Sequence, residues 1–221
     1  MSIFQSFFQQ TLSAFMTLFP VVNPIGIAFI INSFFSTLSK EQRYISTKTL
    51  VYYSFFLCVV CLLLGQLILM IFHLSIPIIQ VGGGFLICKT ALNLLADKPE
   101  TKDKPEQDLT AGSYIKNKLF YPLTFPIVID AGTISVIFAL AASSFSKEIE
   151  TTIVNFSSIF IAIILCCVML YIFTHQAFNI TKRIGTSGAQ VINKMCAFFT
   201  FCVGLNVIYE GIIALIELHT K

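Results

Sequence analysis

The first 39 residues, Met1 to Ser39, contain no aspartate, glutamate, lysine, arginine or histidine. About 20 apolar residues are enough to cross the hydrocarbon core of a bilayer, so this run predicts a membrane span. The whole chain of 221 residues is 56% hydrophobic and only 11% charged, whereas soluble domains are about one quarter charged. The sequence therefore excludes a soluble globular domain and predicts a protein whose main solvent is lipid.

Six apolar segments are long enough to be transmembrane helices. They cover approximately residues 4–35, 50–72, 76–96, 119–142, 151–173 and 195–216. Between the third and fourth segments, residues 97–118 are rich in charge and proline, which is typical of a solvent-exposed loop. We therefore predict an all-α polytopic membrane protein, with a three-helix unit at 1–96, a linker loop at 97–118 and a second three-helix unit at 119–221.

Basic residues are distributed unevenly over the predicted loops. The loops at 36–49, 97–118 and 174–194 lie on one side of the membrane and contain most of the lysines and arginines. These residues are Lys40, Arg43, Lys48, Lys98, Lys102, Lys104, Lys116, Lys118, Lys182, Arg183 and Lys194. The opposite side has only Lys147 and Lys221. Because loops rich in lysine and arginine stay in the cytoplasm, we expect these three loops to be cytoplasmic and both termini to lie outside.

A short motif occurs twice in the chain. The stretch FPVVNPIG at Phe19–Gly26 matches FPIVIDAG at Phe125–Gly132 in the Phe-Pro pair and in the final glycine. Toward the end of each unit, ALN at residues 91–93 resembles GLN at residues 204–206. Because each unit has an odd number of spans, the second unit must enter the membrane in the opposite sense. We therefore predict two inverted three-helix repeats, each with a broken first helix, as in many secondary transporters.

Each copy of the motif contains residues that interrupt a helix. Asn23, Pro24 and Gly26 interrupt the first span, and Asp130 and Gly132 interrupt the fourth. Irregular backbone within a membrane is tolerated only where protein buries it or where it lines a wet cavity. We therefore predict that these residues line a substrate site near the midplane, where the half-helix after Asn23 offers its positive dipole end to a carboxylate. The alternative is that the proline only kinks the helix and the glycine only allows close packing.

Three further residues are candidates for the same site. Gly83 lies in a run of three glycines in the third span, where glycine commonly lets helices pack backbone to backbone. A site role for Gly83 would follow if this packing brings the third span beside the broken first helix. Asn93 and Asn206 end the matching ALN and GLN triplets, and each is able to hydrogen-bond either a neighbouring helix or the substrate.

Two charged residues fall inside the predicted spans. Placing an unpaired charge at the bilayer centre costs at least ~2.5 kcal/mol, so Asp130 in the fourth span and Lys89 in the third each need a partner or a route to water. Either the two side chains pair, or Lys89 extends to the interface and Asp130 is protonated. For Asp130 two roles stay open, which are proton coupling during transport and a static hydrogen-bonding role.

Together these motifs resemble the MarC family of six-span inner-membrane proteins, which includes the SnatA-type amino acid transporters. The similarity rests on LFPVVNPIG in the first span, QVGGGFLICKTALNLL in the third and FPIVIDAGTISVI in the fourth. It implies a multi-pass protein of a bacterial-type inner (plasma) membrane that transports a small polar solute, with neutral amino acids as the expected class. The family pattern reads Gly-Pro-Gly where this chain has Asp130, Ala131 and Gly132, so the proline that would kink the fourth span is missing.

The remaining predictions concern activity and partners. The chain has no nucleotide-binding motif and no clustered set of acids, bases or metal ligands. We therefore expect no enzymatic activity, no cofactor, no metal site and no nucleic-acid partner, with the lipid bilayer and a small-molecule substrate as the partners. The coupling ion is expected to be a proton or sodium, and oligomer formation stays open. The alternatives to a secondary transporter are a channel or exporter for other small metabolites, and a non-transport membrane scaffold.

Overall fold

A computed structural model describes residues 3–35, 37–96, 118–146 and 148–219, and these residues form helices joined by short turns. The helices are α1 (Ile3–Val22), α2 (Pro24–Phe34), α3 (Lys40–Ile71), α4 (Ile76–Leu95), α5 (Leu119–Val128), α6 (Ala131–Ser143) and α7 (Ile149–His219). The linker loop predicted over 97–118 lies outside the described residues, apart from Lys118.

Within the described residues, five helical stretches are long and apolar enough to cross a membrane. They are Gln5–Phe34 (α1 with α2), Lys40–Gly65 (within α3), Ile76–Leu95 (α4), Ile149–Arg183 (the first part of α7) and Ser187–Leu218 (the second part of α7). The axes of α5 and α6 are bent by 68° at the break between them, and this pair makes a sixth span if it is counted as one. The all-helical membrane fold expected from the sequence is therefore confirmed, with five or six spans.

The loop predicted over residues 36–49 is wrong in most of its length, because α3 already begins at Lys40. The helix start is stabilised by a reciprocal pair of hydrogen bonds. The backbone N–H of Gln42 donates to the Ser39 hydroxyl oxygen (3.2 Å), and the backbone N–H of Ser39 donates to the Gln42 side-chain oxygen (3.1 Å). This capping box satisfies two amides that would otherwise lack partners at the helix terminus, so the polar turns remain helical.

The loop predicted over residues 174–194 is also wrong, because α7 is helical there and is interrupted only at Gly185, where φ is 72° and ψ is 173°. The polar residues of this segment find partners outside the apolar core. The Phe178 ring lies 4.2 Å from the Arg43 guanidinium carbon and 4.3 Å from the Lys182 ammonium nitrogen. These cation–π contacts bring basic residues from the start of α3 and the middle of α7 together.

The core lies between α1, α3, the α5–α6 pair and the first part of α7. Its most deeply buried side chains come from all four, and they include Leu18, Leu50, Ile129, Ile137 and Ile163. In lipid, helices associate through close packing rather than through transfer of apolar surface out of water. The two helix breaks border this packed core, since Leu18 precedes the first break by five residues and Ile129 directly precedes the second.

Helix α4 lies between α6 and the second part of α7, and consecutive glycines face the two neighbours. A Cβ atom on Gly83 would clash with the Ser135 side chain of α6, and one on Gly84 would lie 2.7 Å from the carbonyl oxygen of Gly204 in α7. No described atom lies within 4 Å of a Cβ built on Gly82. The close approach therefore depends on the second and third glycines of the run and not on the first.

Candidate functional site

The first helix break is centred on Asn23, which has left-handed backbone angles (φ 46°, ψ 58°) and is followed by Pro24 at the start of α2. Asparagine tolerates this conformation better than most residues because its short amide can bond locally. The Asn23 side-chain oxygen accepts a hydrogen bond from the backbone N–H of Gly26 (3.1 Å), and its carbonyl accepts one from Ile27 (3.0 Å). The amino-terminal end of α2 is therefore capped by the residue that breaks the helix.

The backbone carbonyl freed by Pro24 is bonded by a neighbouring helix. Proline has no N–H, so Pro24 cannot bond the carbonyl oxygen of Pro20 one turn earlier. The Thr200 hydroxyl, in the second part of α7, lies 2.8 Å from that oxygen and 2.9 Å from the carbonyl oxygen of Cys196. Thr200 is 4% exposed, so this is a buried contact between the first break and α7.

Two buried polar atoms at the first break have no hydrogen-bond partner among the described residues. They are the side-chain nitrogen of Asn23, Nδ2, and the side-chain oxygen of Asn193, Oδ1. Both lie against Gly26, because a Cβ there would be 2.7 Å from the Asn193 oxygen and would clash with the Asn23 nitrogen. Asn23 is 7% exposed, and a buried unbonded polar group costs about 1–3 kcal/mol. The close contact around Gly26 therefore leaves one donor and one acceptor unbonded.

The second break is centred on Asp130, which has extended backbone angles and caps α6. One carboxylate oxygen accepts hydrogen bonds from the backbone N–H and the hydroxyl of Thr133, both at 2.8 Å. The other oxygen accepts one from the Thr90 hydroxyl of α4 at 3.2 Å. Both oxygens of this carboxylate are therefore bonded, unlike the amide of Asn23.

The segment before Asp130 is irregular although the proline expected from the family pattern is missing. Helix α5 has wide turns and non-helical backbone angles at Tyr121 and Phe125, each of which precedes a proline through a cis peptide bond. The Thr124 hydroxyl donates to the carbonyl of Leu119 (2.7 Å), and the backbone N–H of Ile129 donates to the carbonyl of Thr124 (2.8 Å). The absence of that proline therefore does not straighten the fourth span.

Lys89 and Asp130 form no ion pair in the described part of the chain. Lys89 is exposed on α4, whereas the next residue, Thr90, reaches Asp130. Gly132 is buried against the same helix, because a Cβ there would lie 2.7 Å from the Ile87 side chain. Helix α4 therefore contributes a hydroxyl and a close backbone contact to the second break, but not a cation.

The two breaks lie side by side in the core. Val22 and Ile129, the residues directly before each break, line one cavity of about 10 Å³ together with Leu18, Ser54 and residues of α7. This volume is at the lower limit for a single water molecule. In this conformation the space between the breaks is therefore closed to any solute, and access would require the helices to separate.

The structure places the eight candidate site residues in three locations. Asn23, Pro24 and Gly26 form the first break, and Asp130 and Gly132 form the second. Gly83 packs against the second broken helix, through Ser135, and not against the first as the sequence suggested. Asn93 is half-buried near the end of α4. Asn206 is exposed on α7, where its amide donates to Glu210 at 2.9 Å, so it does not join either break.

Asn193 was missed because it falls in the segment that was expected to be a cytoplasmic loop. A helical signal is nevertheless present in the sequence. Asn193, Ala197, Thr200 and Gly204 follow one another at spacings of four, three and four residues, which places small and polar side chains on one helix face. Such a face is typical of close packing between membrane helices.

Within the described residues, no group of three His, Cys, Asp or Glu side chains is placed to hold a metal ion.

Comparison with known proteins agrees with the membrane fold. A family model described as "MarC family integral membrane protein" matches residues 8–216. The membrane protein YvbG (UPF0056) of Bacillus subtilis is 26% identical over 199 residues, which cover 90% of this chain and 92% of the relative. The inner membrane protein MarC (UPF0056) of Escherichia coli is 24% identical over 210 residues, covering 92% and 94% respectively. No solved structure matches the chain.

Proposed function

Because the chain belongs to the MarC family of integral membrane proteins, we propose that it is a secondary transporter of a small polar solute in the inner membrane. Neutral amino acids are the substrate class to test first. The observation that carries the proposal is the pair of broken helices side by side in the core, together with the buried donor and acceptor that stay unbonded at the first break. Buried polar groups in a membrane protein are costly and commonly mark a solute pathway.

The proposal includes two inverted three-helix repeats, at 1–96 and 119–221. The repeat is supported by the similar hydrogen bonding at the two breaks. At each one a side-chain oxygen of the break residue bonds the backbone N–H three residues later, from Gly26 to Asn23 at 3.1 Å and from Thr133 to Asp130 at 2.8 Å. A helix break in the same place in both halves is the usual pointer to a binding site in transporters of this architecture.

Transport through this site requires a conformational change. The closed cavity beside Val22 and Ile129 would open alternately toward the two sides of the membrane as the broken helices move. We propose that the termini face the outside and that the basic start of α3 and the basic middle of α7, around Gly185, face the cytoplasm, in keeping with the distribution of lysine and arginine. A proton or sodium gradient would drive the cycle, and Asp130 is the candidate proton carrier.

The test is uptake of labelled neutral amino acids into liposomes that contain the purified protein, with an imposed proton or sodium gradient. Saturable, gradient-dependent uptake is expected for the wild type. Gly26→Ala should lower the initial rate about tenfold or more, because its methyl group collides with the Asn23 and Asn193 amides and small displacements in a site are costly. Gly82→Ala is the matched control, since no described atom lies near its added methyl group.

The same liposomes separate the proposal from its alternatives. Flux that neither saturates nor responds to a gradient would indicate a channel, and movement only out of the liposomes would indicate an exporter. A protein that binds no solute and moves none would contradict the transporter proposal and leave a scaffold role. Equal uptake by Gly26→Ala and the wild type would show that transport does not use the first break.

A further inference from the structure

Two side-chain amides lie against Gly26, and their unbonded atoms have opposite hydrogen-bonding character. The free atom of Asn23 is a donor, because its oxygen is already bonded to the Gly26 N–H. The free atom of Asn193 is an acceptor. The two atoms lie against the same point, yet neither bonds the other. A single group placed between them would satisfy both, provided that it accepts one hydrogen bond and donates another.

A carboxylate does not fit this pair, although the start of a helix commonly attracts one. Three of the first four residues of α2 have no free backbone donor, since Pro24 has no N–H, Gly26 donates to the Asn23 side chain and Ile27 donates to the Asn23 carbonyl. A carboxylate has only acceptor atoms, so it would also face the oxygen of Asn193 without a proton to share. The expected carboxylate contact is therefore disfavoured at this position.

Among the groups that both donate and accept a hydrogen bond, a hydroxyl needs the least space between the two amides. Its oxygen accepts from the Asn23 nitrogen and its proton is donated to the Asn193 oxygen, so one heavy atom makes both bonds. Space is decisive here, because even a methyl group on Gly26 would lie 2.7 Å from the Asn193 oxygen. The Thr200 hydroxyl lies 2.8 Å from the carbonyl oxygen of Pro20 and joins α1 to α7 near this point, which limits how far the two amides can move apart.

We propose that Asn23 and Asn193 together form a binding site for a hydroxyl group, and that the transported solute is a small hydroxylated molecule. This inference rests on the proposed transport function and narrows its substrate class. It also assigns a binding role to Asn193, which lies on the second part of α7 and joins that helix to the first break.

The test compares three ligands of similar size on the purified protein, with dissociation constants measured by calorimetry or thermal shift. L-serine has a hydroxyl that donates and accepts, O-methyl-L-serine can only accept, and L-alanine can do neither at that position. A site built around a hydroxyl strongly rejects analogues that leave its buried groups unbonded. We expect the wild type to bind L-serine at least about tenfold more tightly than either analogue.

Variants at Asn193 show whether the discrimination arises at this pair. Asn193→Leu removes the acceptor and should bring the three affinities within about twofold, whereas Asn193→Asp keeps an acceptor and should retain the preference for L-serine. Asn206→Leu is the matched control, because that asparagine is exposed and bonded to Glu210, and it should behave as the wild type. If Asn193→Leu does not fold, the wild-type ligand series and Asn193→Asp still decide the question.

Each outcome distinguishes the binding site from the transport function. Equal affinity of the wild type for the three ligands, no binding of L-serine, or unchanged discrimination in Asn193→Leu would overturn the hydroxyl site. Saturable uptake of other solutes in the liposome assay would leave the transporter proposal standing in that case. Conversely, hydroxyl-dependent binding without any uptake would contradict transport and support the site.

Discussion

At the first helix break, Asn23 caps the following helix with its oxygen and leaves its nitrogen unbonded. At the second, Asp130 caps the following helix in the same way and also accepts hydrogen bonds from two threonine hydroxyls. Similar backbone breaks therefore differ in what their side chains leave free. The second break is held together by the protein's own groups, whereas the first has bonding capacity for a group from outside.

The largest effect should come from removing the acceptor at the second break. Asp130→Ala leaves Thr133 and Thr90 without their shared acceptor, and we expect a loss of about 2–4 kcal/mol in the free energy of unfolding. Unfolding in detergent by denaturant titration measures this loss. Glu150→Ala is the control, because Glu150 is an exposed acidic residue in the first turn of α7 and should cost less than about 1 kcal/mol. Equal losses in the two variants would show that the bonds of Asp130 are not structural.

A smaller loss of stability is expected at the first break. Asn23→Gly keeps the left-handed backbone (φ 46°) without strain, and glycine replaces a capping residue at a cost of only a few tenths of a kcal/mol. We expect a change below about 1 kcal/mol together with at least a tenfold loss of uptake, because the free donor is gone. The same denaturant titration and the liposome assay measure both quantities. Unimpaired uptake by Asn23→Gly would show that the two breaks do not differ in function as proposed.

The smallest effect on stability should come from Asp130→Asn. The amide oxygen still caps α6 through Thr133, and the amide nitrogen can donate to the Thr90 hydroxyl, so we expect a change of less than about 1 kcal/mol. If Asp130 carries the coupling proton, proton-driven uptake is lost while exchange of solute across the membrane without a gradient continues. Full proton-driven uptake by this variant would limit Asp130 to its hydrogen-bonding role.

The positions of the two breaks could be predicted from the sequence because their cause is local. Pro24 removes a donor wherever the chain folds, and a polar residue such as Asn23 or Asp130 within an apolar run must find partners nearby. The bounds of α4 were predicted to within one residue because the helix coincides with an apolar run long enough to cross a membrane. The local chemistry of a break is therefore readable without a structure.

Features that depend on which helices contact each other could not be predicted from local sequence. Polarity marked residues 174–194 as leaving the membrane, but a polar segment can stay helical where partners such as Arg43 and Phe178 are available. Adjacent glycines also look alike in a sequence, whereas a rotation of about 100° per residue turns Gly83 and Gly84 toward different helices. The role of Asn193 required knowing which helix faces Gly26.

The two faces of α4 determine where this protein is able to move. Close contacts at Gly83 and Gly84 join α4 to the Ser135 side chain of α6 on one side and to the Gly204 carbonyl in the second part of α7 on the other. These three helices should therefore shift as one body. If the chain transports a solute as proposed, the broken α1–α2 span, joined to that body by the hydrogen bond between Thr200 and Pro20, is the part that we expect to move relative to it.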